Sequence, residues 1–75
     1  MTPEIGASYE LTEKDYRYGL GPLIVRITMV IGEVAYDNES WWDVEVTARP
    51  PHSVSPAGAR RLYIRAESLR KRAPW

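Results

Sequence analysis

The 75-residue chain has no cysteine, no phenylalanine, only one histidine, and no apolar run near the roughly 20 residues needed to span a membrane. Each absence excludes something. Without cysteine there is no disulfide framework and no thiolate metal site, so the fold must rest on packing, as suits a reducing cytoplasm. A lone histidine among scattered acids offers no HExxH-like ligand spacing, and no glycine-rich loop opens a helix to cradle phosphate. His52 and Ser53 are neighbours in a proline-rich stretch with no scaffold to hold them as part of a nucleophilic triad. The residues therefore point away from catalysis, and neither a metal nor a cofactor is expected.

The opening stretch MTPEIGASYELTEKDY is acidic and lacks the basic and apolar regions of a signal peptide, so a cytoplasmic location away from the membrane is expected. The length suits one domain near the lower limit at which an unstapled core holds. The zero net charge conceals an asymmetry. Residues 1–48 hold nine acids and three bases, whereas residues 49–75 hold one acid and seven bases. A neutral total thus permits a basic patch, and opposite charges on two parts of the chain could draw copies together, so homo-oligomers are one expectation. Arginine outnumbers lysine eight to two, a bias associated with GC-rich bacterial genomes. The aromatics are three Trp and five Tyr, whose rings join an apolar body to a polar tip and suit binding surfaces as well as cores.

Alternation of apolar and polar residues carries the secondary-structure signal. Ser8 to Thr12 reads as a first strand, followed by a charged, tyrosine-bearing loop that closes on Gly19-Leu20-Gly21-Pro22. Leu23 to about Ile31 is the clearest strand, with Leu23, Val25 and Ile27 on one face, and Gly32 ends it or bulges it. After a turn signal at Asp37-Asn38-Glu39-Ser40, the strand Trp41 to Ala48 directs Trp42, Val44 and Val46 inward and Trp41, Asp43, Glu45 and Thr47 outward. The stretch 49–59 is a long proline-rich loop, because its prolines lack ladder donors. Arg61 to Ala66 is another strand, Glu67 to Arg70 a single helical turn whose Leu69 plugs an open end, and residues 1–6 and 71–75 read as flexible ends.

Four pieces in this order resemble the Src-homology-3-like barrel. Ala7-Ser8-Tyr9-Glu10-Leu11 sits where that family has its ALYDY strand, and Tyr16-Arg17-Tyr18-Gly19-Leu20-Gly21 is similar to its diverging turn. Trp41-Trp42 resembles the paired tryptophans opening its third strand, and Leu62 to Leu69 resembles its last strand and one-turn helix. The resemblance implies an all-β fold: one small barrel of about five strands with a C-terminal helical turn, and Tyr16 and Tyr18 in its core. Leu11, Arg65 and Ser68 stand where the family keeps rings for polyproline ligands, so the resemblance implies the barrel rather than PxxP binding.

The leading functional expectation is a small non-catalytic adaptor or accessory protein that docks onto a protein partner through Tyr9, Trp41, Tyr63 and Arg65. A second reading is a nucleic-acid-binding barrel in which Arg60, Arg61, Arg70, Lys71 and Arg72 track phosphates while Trp41, Tyr63 and Trp75 stack on bases. Against it stand the outward Asp43 and Glu45, which would neutralise neighbouring arginines across the strands. A third reading is a small subunit that inhibits or tunes an enzyme.

Overall fold

A computed structural model describes residues 2–17, 19, 21–51 and 56–75. Four antiparallel strands follow in chain order, β1 (Ser8–Leu11), β2 (Leu23–Tyr36), β3 (Glu39–Arg49) and β4 (Gly58–Arg65), and they lie in the same order in one sheet. A 3₁₀ turn, Ala66–Arg70, comes after β4. The sheet curls into a half-barrel, an all-β architecture with four strands among the described residues rather than the expected five or so. No helix among the described residues is long and apolar enough to cross a membrane.

Strand β2 is dense in β-branched residues, which favour the pleated backbone, and its length is what sequence reading missed. Gly32 does not end it. Ile31 bulges out between the pairs Val30↔Val44 and Gly32↔Asp43, and the strand resumes regular pairing through Tyr36↔Glu39. A second bulge falls at Thr28, between Ile27↔Val46 and Met29↔Glu45. The two-residue turn Asp37-Asn38 has φ of 51° and 62°, the left-handed pair that joins tightly twisted hairpin strands. At the other end the proline-rich connection is shorter than expected, since Arg49 belongs to β3 and Gly58 and Ala59 to β4. His52 and Ser53 lie outside the described residues, as does Tyr18.

The concave face carries the core. Leu23, Val25 and Ile27 from β2 meet Val44, Val46 and Ala48 from β3 and Leu62 and Ile64 from β4, while Tyr9, Leu11 and Tyr16 close over them. Leu69 enters from the 3₁₀ turn, as expected of a plug. Fully burying an aliphatic side chain of this size contributes about 1.5–3 kcal/mol, so the concave face is the main source of stability.

Two short segments line the outer edges of the sheet. Asp15 to Arg17 runs along β4 through an isolated bridge, Tyr16↔Ile64, with Arg17 N–H donating to the Tyr63 carbonyl and Arg65 N–H to that of Asp15. Lys71 to Ala73 runs along β1 through Tyr9↔Arg72, with Glu10 N–H donating to the Lys71 carbonyl and Ala73 N–H to that of Ser8. The tail expected to be loose therefore pairs with the first strand. Trp75 adds to this, its carbonyl accepting from Arg49 Nη2 at 2.7 Å.

One polar network ties these segments together. Asp15 is buried, and its carboxylate accepts from Thr12 N–H at 2.7 Å, Thr12 Oγ1 at 2.9 Å, Ser68 Oγ at 2.7 Å and Lys71 Nζ at 2.8 Å. Burial opposes its charge, but the hydrogen bonds from Lys71, Ser68 and Thr12 outweigh that and hold the carboxyl well below the usual carboxylate range.

Candidate functional site

Strand alternation puts Trp41, Asp43 and Glu45 of β3 on the convex face, and the register sets Arg65 beside Trp41, Tyr63 beside Asp43 and Arg61 beside Glu45. On the other side of β3, Val34 pairs with Trp41, and Tyr36 follows it on the same face. The segment Asp15 to Arg17, bound along β4, brings Arg17 over this surface. The result is an aromatic and arginine patch built from three strands and one loop.

Trp41 is its floor. The sequence suggests an outward and exposed ring, and the outward direction holds, but the residue is only 6% exposed. Side chains cover it. The Arg65 guanidinium lies 5.0 Å from the ring centroid and that of Arg17 5.7 Å, while the indole N–H donates to the Tyr36 carbonyl at 3.3 Å. Arg17 also stacks on Tyr36, 3.7 Å from its centroid. Arg65 is held in place by Glu39 at 2.7 Å. Trp42, on the concave face as expected, packs against the core yet is less buried than its neighbour, and its indole nitrogen is buried without a hydrogen-bond partner.

What remains accessible is a groove divided by Tyr63. On one side Arg17, Val34, Tyr36, Trp41 and Tyr63 line an apolar cleft of about 80 Å³. On the other, Arg17, Arg60, Arg61, Leu62 and Tyr63 line a wider one of about 240 Å³. Arg61 crosses to Asp43 with a bidentate pair, Nε to Oδ1 at 2.9 Å and Nη2 to Oδ2 at 2.6 Å. That hydrogen bonding lowers the Asp43 carboxyl and explains how a charged residue can be buried on a convex face.

Of the four residues expected to bind a protein, the fold brings Trp41, Tyr63 and Arg65 together. Tyr9 is a correction. It is 1% exposed and belongs to the core, because β1 is covered by both the concave packing and the Lys71 to Ala73 segment, with Arg72 stacked 5.3 Å from its ring. Arg17, Val34 and Tyr36 were missed. The signal for Val34 and Tyr36 was the continued alternation of β2 past Gly32, which a bulge hides by shifting the phase by one residue, whereas Arg17 reaches the patch from the β1–β2 loop, where no strand pattern announces it.

The basic residues do not gather into one surface charge. Arg61 pairs with Asp43, Arg65 with Glu39, Lys71 with Asp15 and Arg72 with Glu4 at 3.4 Å. Arg60 and Arg70 are exposed and take part in none of these pairs. No family model, no curated protein and no solved structure matches the chain.

Proposed function

We propose that this chain is a non-catalytic binding module, a Src-homology-3-like barrel acting as a cytoplasmic adaptor or accessory protein that docks a protein partner on the convex groove around Tyr63. The observation that carries the reading is the groove itself. Accessible rings and an aliphatic side chain, Tyr36, Tyr63 and Val34, are mounted on a rigid sheet, with arginines stacked beside them. Such clusters of Tyr and Arg around an apolar floor are what protein interfaces use as anchors, and rigid mounting reduces the entropy lost on binding. The Src-homology-3-like assignment is supported by the strand order, the 3₁₀ turn after β4 and the terminal segment returning to β1.

The test is a capture from the native host followed by calorimetry on the recovered partner. Tyr63→Ala and Tyr36→Ala should each weaken binding about tenfold, or about 1.4 kcal/mol, while leaving the melting temperature nearly unchanged. A recovered partner whose affinity is indifferent to both substitutions places the docking surface elsewhere.

A further inference from the structure

The sheet's exposed backbone is unevenly protected. The edge of β1 is occupied by Lys71 to Ala73, and the C-terminal half of β4 by Asp15 to Arg17. The remaining N-terminal half of β4 carries Arg60 and Arg61, charges of the kind that discourage another strand from pairing. Strand β2 differs. β1 covers it only from Leu23 to Arg26, with Gly6 and Ala7 extending the pairing to Ile27. Among the described residues nothing pairs with β2 beyond that on the side away from β3. Met29, Ile31, Val34 and Tyr36 are exposed along this stretch, which contains no lysine, arginine or proline.

Both bulges lie at or before Ile31, and bulges disrupt pairing. The five residues Gly32 to Tyr36 are in regular register with β3, so their opposite edge is an unbulged ladder that none of the described residues fills. Alternation there separates two chemistries. Val34 and Tyr36 face the convex groove, whereas Glu33, exposed, points to the other side of the sheet, and Asp37 follows at the turn. Among the described residues neither Glu33 nor Asp37 has an ion-pair partner.

We infer that the edge Gly32–Tyr36 accepts an extended strand from a partner protein, one that alternates apolar and basic residues. Backbone hydrogen bonds would add it to the sheet, its apolar residues lying beside Val34 and Tyr36 at the rim of the groove and its basic residues beside Glu33 and Asp37. Charge argues against a second copy as occupant. Antiparallel self-pairing centred on Val34 sets each Glu33 opposite the other copy's Ala35, so the two Glu33 carboxylates meet as diagonal neighbours on one face, roughly 7–8 Å apart. The inference deepens the docking proposal by naming the partner's backbone form, and rests on it only for where the apolar side chains land.

The experiment uses the full chain and a synthetic peptide alternating valine and lysine, long enough to span Gly32–Tyr36. Amide hydrogen exchange should show new protection confined to alternate residues of that segment. Affinity should fall about tenfold when the peptide amides on its pairing edge are N-methylated, and by a similar factor for Glu33→Lys. Protection elsewhere, no protection, or indifference to N-methylation overturns the inference. So does a dimer in sedimentation of the free protein with the same amides already protected, since a second copy would then fill the edge. Tyr63→Ala separates the two proposals. If it leaves peptide affinity unchanged while N-methylation weakens binding about tenfold, the edge stands and the groove does not; the reverse pattern keeps the groove and removes the edge.

Discussion

Lys71 Nζ lies 2.8 Å from Asp15 Oδ2, so a residue of the β1–β2 loop and one of the terminal segment share a single buried anchor. Ser68 and Thr12 complete the shell. Because the folded carboxyl titrates below its unfolded value, the stability it contributes is present above the unfolded pKa of about 3.9 and is lost as pH falls through and below it. The midpoint of thermal unfolding should hold from neutral pH to about pH 5 and then drop. Asp15→Asn should be less stable by about 2 kcal/mol at neutral pH and should show a flatter acid limb, with Asp43 supplying what slope remains. Melting curves across that range decide the matter; an unaltered acid limb in Asp15→Asn removes the role assigned to this anchor.

The two adjacent tryptophans should respond in a way that the strand pattern does not suggest. Trp41→Ala removes a buried ring under two arginines and should cost about 3 kcal/mol, comparable to Trp42→Ala on the opposite face. Tyr63→Ala should stay within about 1 kcal/mol of wild type. Urea unfolding of the three variants checks this, and a wild-type midpoint for Trp41→Ala would mean that its cover of Arg17, Arg65 and Tyr36 contributes nothing. One practical consequence is that Trp41 is a poor probe of docking, since its loss mixes folding with binding.

At the β2–β3 turn, Asn38 holds a φ of 62°, a conformation in which glycine has no side-chain penalty. Asn38→Gly should therefore keep or raise stability by up to about 1 kcal/mol, and Asn38→Val, branched at Cβ, should lower it. Calorimetric melting points of the pair give the ordering; a more stable valine variant would contradict the turn geometry.

Gly19 is under a different constraint. A Cβ built there would lie 2.6 Å from Cζ of Tyr16, a buried ring whose hydroxyl donates to the Gly21 carbonyl at 2.6 Å. The ring is buried and its backbone is held by the bridge to Ile64, which limits how far it can retreat. Gly19→Ala should destabilise by about 1–3 kcal/mol through overpacking, while Gly32→Ala, with open space around it, should cost little of that kind. Equal stability of the two variants, measured by chemical unfolding, would dismiss the close approach.

Much of the concave face was legible because period-2 alternation is a local property. Leu23, Val25, Ile27, Val44, Val46, Leu62 and Ile64 all sit where alternation directs them. What alternation cannot supply is cover. It directs Trp41 and Asp43 outward correctly, but their burial comes from Arg17, Arg61 and Arg65, long side chains arriving from other segments. Tyr9 escaped for the same reason, since its cover includes Arg72, far away in sequence. The far half of β2 was lost at Gly32, where a bulge mimics a strand end, and the groove's Val34 and Tyr36 were lost with it.

The pairing of Lys71 to Ala73 with β1 also orders events in time. The β2–β3 hairpin closes through a two-residue turn and can form as soon as its own residues leave the ribosome, whereas β1 gains its outer neighbour and Asp15 its cation only after Lys71 to Ala73 have followed β4 out. Until then the nascent molecule holds a finished hairpin beside an open first strand. A stop codon or a protease cut just ahead of Lys71 would preserve that intermediate, leaving β1 unpaired along one side and Asp15 without its cation.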